Sequence, residues 1–200
     1  MAPPARGPIR VRRARRGDGK RILEIERELA EWERLRPPSP AEGRKLLAMI
    51  FDSREVEALV AERRGRVEGV ALYWVALGSS FRARNLLGLE DLVVSAGARG
   101  AGIGEALMVA LAREGVRRNV NRMDWDVLDW NEKAIRFYRR LGARPRDPWL
   151  RYSLPEDAMK ALAARGAIRS TRSGRPRGPS RRGGPRPPGT RRASPGRRSP

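Results

Sequence analysis

The chain has 200 residues, with 44 Lys and Arg against 23 Asp and Glu, a formal net charge of +21, and neither Cys nor His. This composition excludes a disulfide framework, a cysteine nucleophile, a Ser-His-Asp triad and a His/Cys zinc site. Acid–base chemistry must therefore use carboxylates, tyrosine, lysine, water or a chain terminus.

The positive charge is concentrated at the two ends of the chain. Residues 1–16 contain 6 Arg and residues 165–200 contain 12 Arg, and neither segment has an acidic residue. The C-terminal segment is rich in Arg, Pro, Gly and Ser and has too few apolar residues to offset chain entropy. We predict a disordered N-terminal arm over 1–8, one folded domain over 9–164 and a disordered basic tail over 165–200.

The sequence contains no run of about 18 apolar residues, so it predicts no membrane span. The first residues lack the apolar core of a secretory signal. We therefore expect a cytoplasmic protein with no membrane partner.

Hydrophobic periodicity predicts alternating strands and helices. In chain order these are strand 9–13, helix 18–35, helix 41–51, hairpin strands 56–63 and 67–77, strand 86–95, a helix from 103 to about 118, strand 123–128, helix 132–141, strand 149–154 and a short helix 155–164. This order indicates an α/β fold with helices packed on a central mixed sheet.

A buried strand, a glycine-rich loop and a helix start follow one another over residues 89–112. The loop reads Arg99-Gly100-Ala101-Gly102-Ile103-Gly104 and matches neither the P-loop nor the dinucleotide fingerprint. Small residues at a helix N-terminus leave backbone N–H groups available to phosphates. A turn leading into a helix without a ligand is the other interpretation of this segment.

A second motif runs from Trp130 to Ala143. Asn131 is a suitable N-cap, and Gly142 is placed to end the helix. Ala134, Phe137, Tyr138 and Leu141 share one face at helical spacing. Taken alone, Tyr138 could be a core aromatic residue and Asn131 an ordinary cap.

Together the two motifs resemble the GNAT superfamily of acyl-CoA-dependent N-acetyltransferases, and most closely its diamine (spermidine/spermine) acetyltransferase-like branch. The loop pattern of that family is matched by Arg99, Gly102 and Gly104, and its helix pattern by Asn131, Ala134, Phe137, Tyr138, Gly142 and Ala143. The branch is suggested by residues 28–33, 71–74 and 89–91. The resemblance implies the GNAT-type fold, a mostly antiparallel mixed sheet with splayed middle strands, and acetyl-CoA as the cofactor.

The resemblance also implies the cofactor-binding residues. The backbone N–H of Leu92 would polarise the acyl carbonyl, and that of Val94 would hold the pantetheine arm. The full set is Leu92, Val93, Val94, Arg99, Gly100, Ala101, Gly102, Ile103, Gly104, Glu105, Asn131, Ala134 and Tyr138.

A protonated amine of pKa about 10.4 must lose a proton before it attacks a thioester. Glu90, expected to be partly buried beside Asp91, is the predicted general base, directly or through a water. Tyr138 is the predicted acid that protonates the departing thiolate. A solvated strand end is the other interpretation of Glu90 and Asp91.

The resemblance to the diamine branch also implies an amine pocket lined by acidic and aromatic side chains, both of which attract an ammonium group. The predicted substrate-binding residues are Trp32, Glu33, Glu90, Asp91, Asp124, Asp126 and Trp149. Trp32 could instead pack as an ordinary helix residue. No metal is expected, and a homodimer is implied only by the resemblance.

The function predicted is acetyl transfer from acetyl-CoA to a primary amine, a polyamine or another small amine, by direct attack in a ternary complex. Two alternatives concern the basic tail. The protein could acetylate proteins while the tail tethers it to a polyanionic partner, or it could bind nucleic acid on a GNAT scaffold. For the tail itself we favour a third interpretation, an Arg-biased segment with only incidental, weak polyanion binding.

Overall fold

The computed structural model describes residues 7–148 and 150–165. They fall into two units, which divide between Arg144 and Pro145. The predicted arm over 1–8 lies mostly outside the described residues, and so does the tail beyond residue 165.

The first unit contains a five-stranded sheet in the order β1-β2-β3-β4-β5. The strands are β1 (Ile9–Arg13), β2 (Glu57–Arg63), β3 (Arg66–Ser79), β4 (Arg84–Val94) and β5 (Met123–Asp124). The first four strands pair antiparallel, and β5 pairs parallel to β4. The predicted mixed, mostly antiparallel sheet is therefore confirmed.

The helices of this unit are α1 (Gly19–Trp32), α2 (Pro40–Ala48), α3 (Ile103–Arg117) and α4 (Glu132–Arg140). Ser39 caps α2 by accepting a hydrogen bond from the N–H of Glu42, whose carboxylate accepts one from the N–H of Ser39. Pro40 stands at the first position of α2, where its missing N–H costs nothing. A single wide turn over Met49–Ser53 follows α2.

Alternating side chains of the strands bury two separate apolar cores, one on each face of the sheet. Leu59, Tyr73 and Leu87 belong to the core that contains Leu107 and Leu111 of α3. Val60, Val70 and Leu72 belong to the core that contains Ile22 and Ile25 of α1. The sheet is thus sandwiched between α1 and α3.

Two irregularities of β4 open the sheet in its middle. Leu72 is opposite Asp91 while Tyr73 is opposite Leu89, so Glu90 is the extra residue of a β-bulge. On the other edge, β4 pairs with β5 only at Leu87 and Gly88. Within the part of the chain that the structure describes, no strand pairs with this edge of β4 beyond Gly88. This is the splaying that the resemblance implied.

Two strand predictions are wrong. The strand predicted over 123–128 is limited to Met123 and Asp124, because the chain leaves β4 there and Trp125 packs instead on the ring of Tyr138. The strand predicted over 149–154 is absent at the described residues 150–154, where Leu150, Tyr152 and Leu154 stay exposed. Alternation alone predicted it, but a strand also needs a neighbour to pair with. The short last helix, α5 (Glu156–Ala164), is confirmed.

Candidate active site

The loop that joins β4 to α3, residues 95–102, is here named the cofactor loop. It contains a short 3-10 turn (Ala96–Ala98) in which Ala98 is buried. Gly100 and Gly102 then adopt left-handed conformations, with φ of 73° and 87°. Because side chains strongly disfavour this region, the two glycines let the chain reverse sharply into α3.

Helix α3 begins without a side-chain cap. Its first helical bond runs from the N–H of Ala106 to the carbonyl of Gly102 (3.0 Å), so the N–H groups of Ile103, Gly104 and Glu105 have no carbonyl partner in the helix. The N-cap residue is Gly102, which has no side chain to accept a hydrogen bond from them. These donors at the positive end of a helix dipole fit an anion such as a phosphate.

The side chain of Ile103 holds the start of α3 against the sheet. It is buried, and a Cβ built on Gly69 of β3 would lie only 2.7 Å from its Cγ2. Glycine at position 69 thus permits this close approach of helix and strand.

A polar strut from α1 supports the entrance of the cofactor loop. The carboxylate of Glu28 accepts a hydrogen bond from the backbone N–H of Ala96 (3.1 Å). The guanidinium of Arg21 donates to the Ser95 hydroxyl and, through Nε, to the carbonyl of Val67 (3.0 Å). At the same end of the loop, Nε of Arg99 donates to the carbonyl of Val94, the last residue of β4 (3.2 Å). The loop is therefore anchored where it leaves β4.

The unpaired edge of β4 presents backbone donors to the gap in the sheet. The N–H of Ser95 donates to the carbonyl of Glu68 in β3 (2.9 Å). Because successive residues of a strand direct their N–H groups to opposite edges, the N–H groups of Leu92 and Val94 point away from β3. They point to the edge on which pairing with β5 has already ended at Gly88.

Helix α4 places Tyr138 beside this gap. Asn131 caps the helix, since its Oδ1 accepts from the N–H of Ala134 (3.2 Å). The ring of Tyr138 contacts the rings of Trp125 and Phe137, with centroids 5.0 and 5.2 Å away. Its hydroxyl donates to none of the side chains that the structure describes, and burial raises the pKa of the Tyr138 phenol.

Phe137 joins α4 to the start of α3 and the end of β4. A Cβ built on Gly104 would lie 3.6 Å from Phe137 Cζ and 3.8 Å from Val94 Cγ2. The N-terminus of α3, the unpaired edge of β4 and helix α4, which carries Tyr138, therefore meet at one place.

The two carboxylates at the bulge differ in environment. Glu90 is exposed, which corrects the expectation of partial burial, because the bulge pushes this extra residue outward. Asp91 is half-buried and lies opposite Leu72, on the face covered by α1. Burial, followed by the charges of Glu90 and Glu33, raises the pKa of Asp91 to about 6. Asp91 thus has the environment expected of Glu90.

Two tryptophans lie next to each other at the end of α1. The rings of Trp32 and Trp130 are 5.2 Å apart with an interplanar angle of 37°, and they are 39% and 57% exposed. Glu33, the next residue, is half-buried. An acidic and aromatic surface of this kind suits an ammonium group.

The other predicted site residues are placed less favourably. Asp124 is bound by Nε of Arg122 at 2.8 and 3.0 Å, so its charge is largely compensated. Asp126 is exposed. The side chain of Val93 is buried in the core under α1, away from α3. Trp149 lies outside the described residues.

Sequence reasoning missed four residues of this region, Arg21, Glu26, Glu28 and Trp130. Glu26 occupies the apolar face of α1 between Ile22 and Leu29, and an acidic residue on such a face was the available signal. The contacts of Arg21 and Glu28 with the cofactor loop gave no signal in the sequence, because their partners come from distant parts of the chain.

Among the residues that the structure describes, no group of acidic side chains could hold a metal ion. Within the same ranges, no helix is long and apolar enough to cross a membrane.

Comparison with known proteins identifies the family. The model of the "Acetyltransferase (GNAT) family" matches residues 20–143. The thialysine N-epsilon-acetyltransferase of Mus musculus is 33% identical over 168 residues, which cover 78% of this chain and 98% of the mouse protein. The spermidine/spermine N(1)-acetyltransferase-like protein 1 of Homo sapiens is 28% identical over 143 residues, 68% of this chain and 20% of the human protein.

A solved integron cassette protein of V. cholerae has the same fold. It superposes with a TM-score of 0.67 at 24% identity and covers 78% of this chain and 97% of its own. The family model spans more than half of the chain, and the mouse relative is matched over nearly its whole length. The chain therefore belongs to the GNAT family of acyl-CoA-dependent N-acetyltransferases.

Proposed function

We propose that this protein transfers an acetyl group from acetyl-CoA to a primary amine of a small molecule. The observation that supports this most strongly is the gap beside β4. The N-terminus of α3 and the edge of β4 present unpaired backbone N–H groups to this gap, and the β-bulge next to it carries the carboxylates of Glu90 and Asp91. Relatives named for thialysine and for spermidine or spermine agree with an amine acceptor.

Acetyl-CoA fits the donors that the site contains. The N–H groups of Ile103, Gly104 and Glu105 would bind its phosphates, with Arg99 at the loop entrance adding positive charge. The N–H of Val94 and the side chain of Asn131 would hold the pantetheine arm. When bound, acetyl-CoA supplies an electrophilic acetyl thioester.

The backbone N–H of Leu92 points into the gap and would stabilise negative charge that develops on the acyl oxygen. A donor fixed by the sheet needs no reorganisation during the reaction, and such donors typically contribute a few kcal/mol of barrier lowering. The bulge at Glu90 makes this possible, because the extra residue reverses the direction in which the following N–H groups point.

Glu90 accepts a proton from the ammonium group of the acceptor, which then attacks the thioester as a free amine, and the exposure of Glu90 favours proton transfer through a water. Asp91 holds the acceptor from the side covered by α1. Its pKa of about 6 also suits it to proton transfer near neutral pH, so the Glu90→Gln and Asp91→Asn variants must be compared directly.

Tyr138 donates its phenolic proton to the departing thiolate. A phenol of pKa near or above 10 remains protonated at neutral pH and can protonate a thiolate whose conjugate acid has pKa about 8.5. Direct transfer from cofactor to amine follows, since the chain contains no cysteine that could carry the acetyl group.

The acceptor site consists of Glu33, Asp91 and the tryptophan pair Trp32 and Trp130. Carboxylates attract the ammonium group by charge, and indole faces attract it by cation–π interaction. These groups favour a basic amine and disfavour an acidic substrate.

The test is acetyl-CoA turnover by the full chain with spermidine, putrescine, thialysine, lysine, an aminoglycoside and a basic peptide. We expect turnover on at least one small amine and a loss of about 10²-fold or more in the Glu90→Gln variant. Lys20→Gln, an exposed change on α1, is the matched control. Turnover on the peptide alone would contradict a small acceptor, and a Glu90→Gln variant at wild-type rate would contradict its role as base.

A further inference from the structure

Glu26 of α1 is a buried acidic residue that the proposed mechanism does not use. It is 8% exposed, and its neighbours Ile22 and Ile25 are fully buried. Its Oε1 atom is closed to solvent and has no hydrogen-bond partner among the described residues. Leaving a carboxyl oxygen buried and unpaired is costly, so such a group calls for a functional explanation.

The charges that bear on Glu26 are negative and come from both elements beside it. Asp91 and Glu90 belong to β4, and Glu33 is the C-cap residue of α1, seven residues after Glu26 and therefore near the same face. Burial and the repulsion from these carboxylates raise the pKa of Glu26 to about 8. At neutral pH the free protein therefore holds Glu26 mainly as a neutral carboxyl group.

Two further features beside these carboxylates favour a cation. Helix α1 ends at Trp32, and the unpaired carbonyl groups of a helix C-terminus carry partial negative charge. The ring of Trp32 contacts that of Trp130, and both rings are partly exposed. A ligand with more than one positive charge would be attracted by all of these groups at once.

We propose that Glu26 is a specificity-determining residue that binds the second ammonium group of a dicationic acceptor. This inference rests on the proposed function, in which Glu33 and Asp91 bind the amine. When the second ammonium group enters, the neutral carboxyl of Glu26 loses its proton to solvent and becomes the partner of that cation. Binding of a diamine thus releases one proton, and no covalent bond to carbon is made or broken.

The experiment compares putrescine with butylamine, which has the same carbon chain and one amine fewer. kcat/KM is measured for both acceptors with the full chain and with the Glu26→Gln variant. Gln matches the shape of the neutral carboxyl group but cannot ionise. We expect the putrescine-to-butylamine ratio of kcat/KM to fall about tenfold or more in Glu26→Gln. The control is Glu31→Gln, an exposed change on the same helix, which keeps the wild-type ratio.

Proton release gives a readout that packing alone would not change. Calorimetric titration of putrescine at pH 7, in buffers of different ionisation enthalpy, should show a released proton for the wild type and none for Glu26→Gln. An unchanged acceptor ratio together with unchanged proton release would overturn the inference and leave Glu26 as a buried neutral carboxyl. Because the ratio cancels any loss of folded enzyme, it is independent of stability. Absence of turnover on both amines in the wild type would instead contradict the proposed function.

Discussion

Replacement of Tyr138 by Phe separates chemistry from packing. The ring keeps its contacts with Trp125 and Phe137, and the lost hydroxyl has no hydrogen-bond partner among the described residues. We therefore expect the free energy of unfolding to change by no more than about 0.5 kcal/mol. Loss of a general acid should lower kcat about 10²- to 10⁴-fold, which corresponds to about 3–5 kcal/mol of activation free energy.

Tyr73→Phe is the matched control with the opposite expectation. Tyr73 is fully buried, and its hydroxyl donates to the Glu57 carboxylate at 3.2 Å. Removing this bond to a charged group should cost about 1–3 kcal/mol of stability, and each kcal/mol lowers Tm by about 2–4 °C in a chain of this size. kcat of the folded enzyme should remain close to that of the wild type.

The assay for both variants combines initial rates of CoA-thiol release, at saturating acceptor, with thermal melting. A Tyr138→Phe enzyme that keeps more than about a tenth of wild-type kcat would refute its role as acid. A drop in its Tm as large as that of Tyr73→Phe would show that the hydroxyl is structural.

Three further predictions concern the loop, its support and pH. Gly102→Ala places a side chain on a residue whose φ is 87°, which costs about 1–2 kcal/mol, and it should raise KM for acetyl-CoA. Gly97→Ala is the control: a Cβ at position 97 meets no atom within 4 Å, and KM for acetyl-CoA should stay unchanged. Glu28→Ala removes the carboxylate that accepts a hydrogen bond from the N–H of Ala96 at 3.1 Å. This change should raise KM for acetyl-CoA about two- to tenfold with little change in kcat. An unchanged KM would contradict the role of Glu28 in supporting the cofactor loop. Because the pKa values of Asp91 and Glu26 are raised to about 6 and about 8, their contribution to stability is complete below about pH 4 and is lost as pH rises through those values. Tm should therefore fall from about pH 4 to about pH 8, and Glu26→Gln should remove the part of that fall that lies between about pH 6 and pH 8. Equal slopes in both proteins over that interval would contradict the burial of an ionisable Glu26.

Sequence patterns predicted the parts of the fold that local physics decides. Helical spacing identified α1, α3 and α4, and the N-cap of Asn131 forms as expected. The unpaired start of α3 followed from glycines at 100 and 102, which adopt the left-handed conformations that such a turn requires. Existence and order of these elements were therefore predictable.

What could not be predicted depends on tertiary pairing. The alternation over 149–154 indicated a strand, but whether a strand forms depends on a neighbouring edge that no local pattern reveals. The bulge exposes Glu90 and half-buries Asp91, and it arises from the register of β4 on β3. Glu26 was overlooked for a similar reason, because its carboxylate neighbours on β4 lie more than sixty residues away in the chain.

The most direct test of the central claim is an initial-rate study in which acetyl-CoA and the best amine acceptor are both varied, with the product identified by mass spectrometry. Direct transfer at the gap beside β4 predicts intersecting double-reciprocal lines, an N-acetylated amine and no acetylated protein. Parallel lines, or an acetyl group on the protein in the absence of acceptor, would contradict the direct attack for which Leu92, Glu90 and Tyr138 are placed.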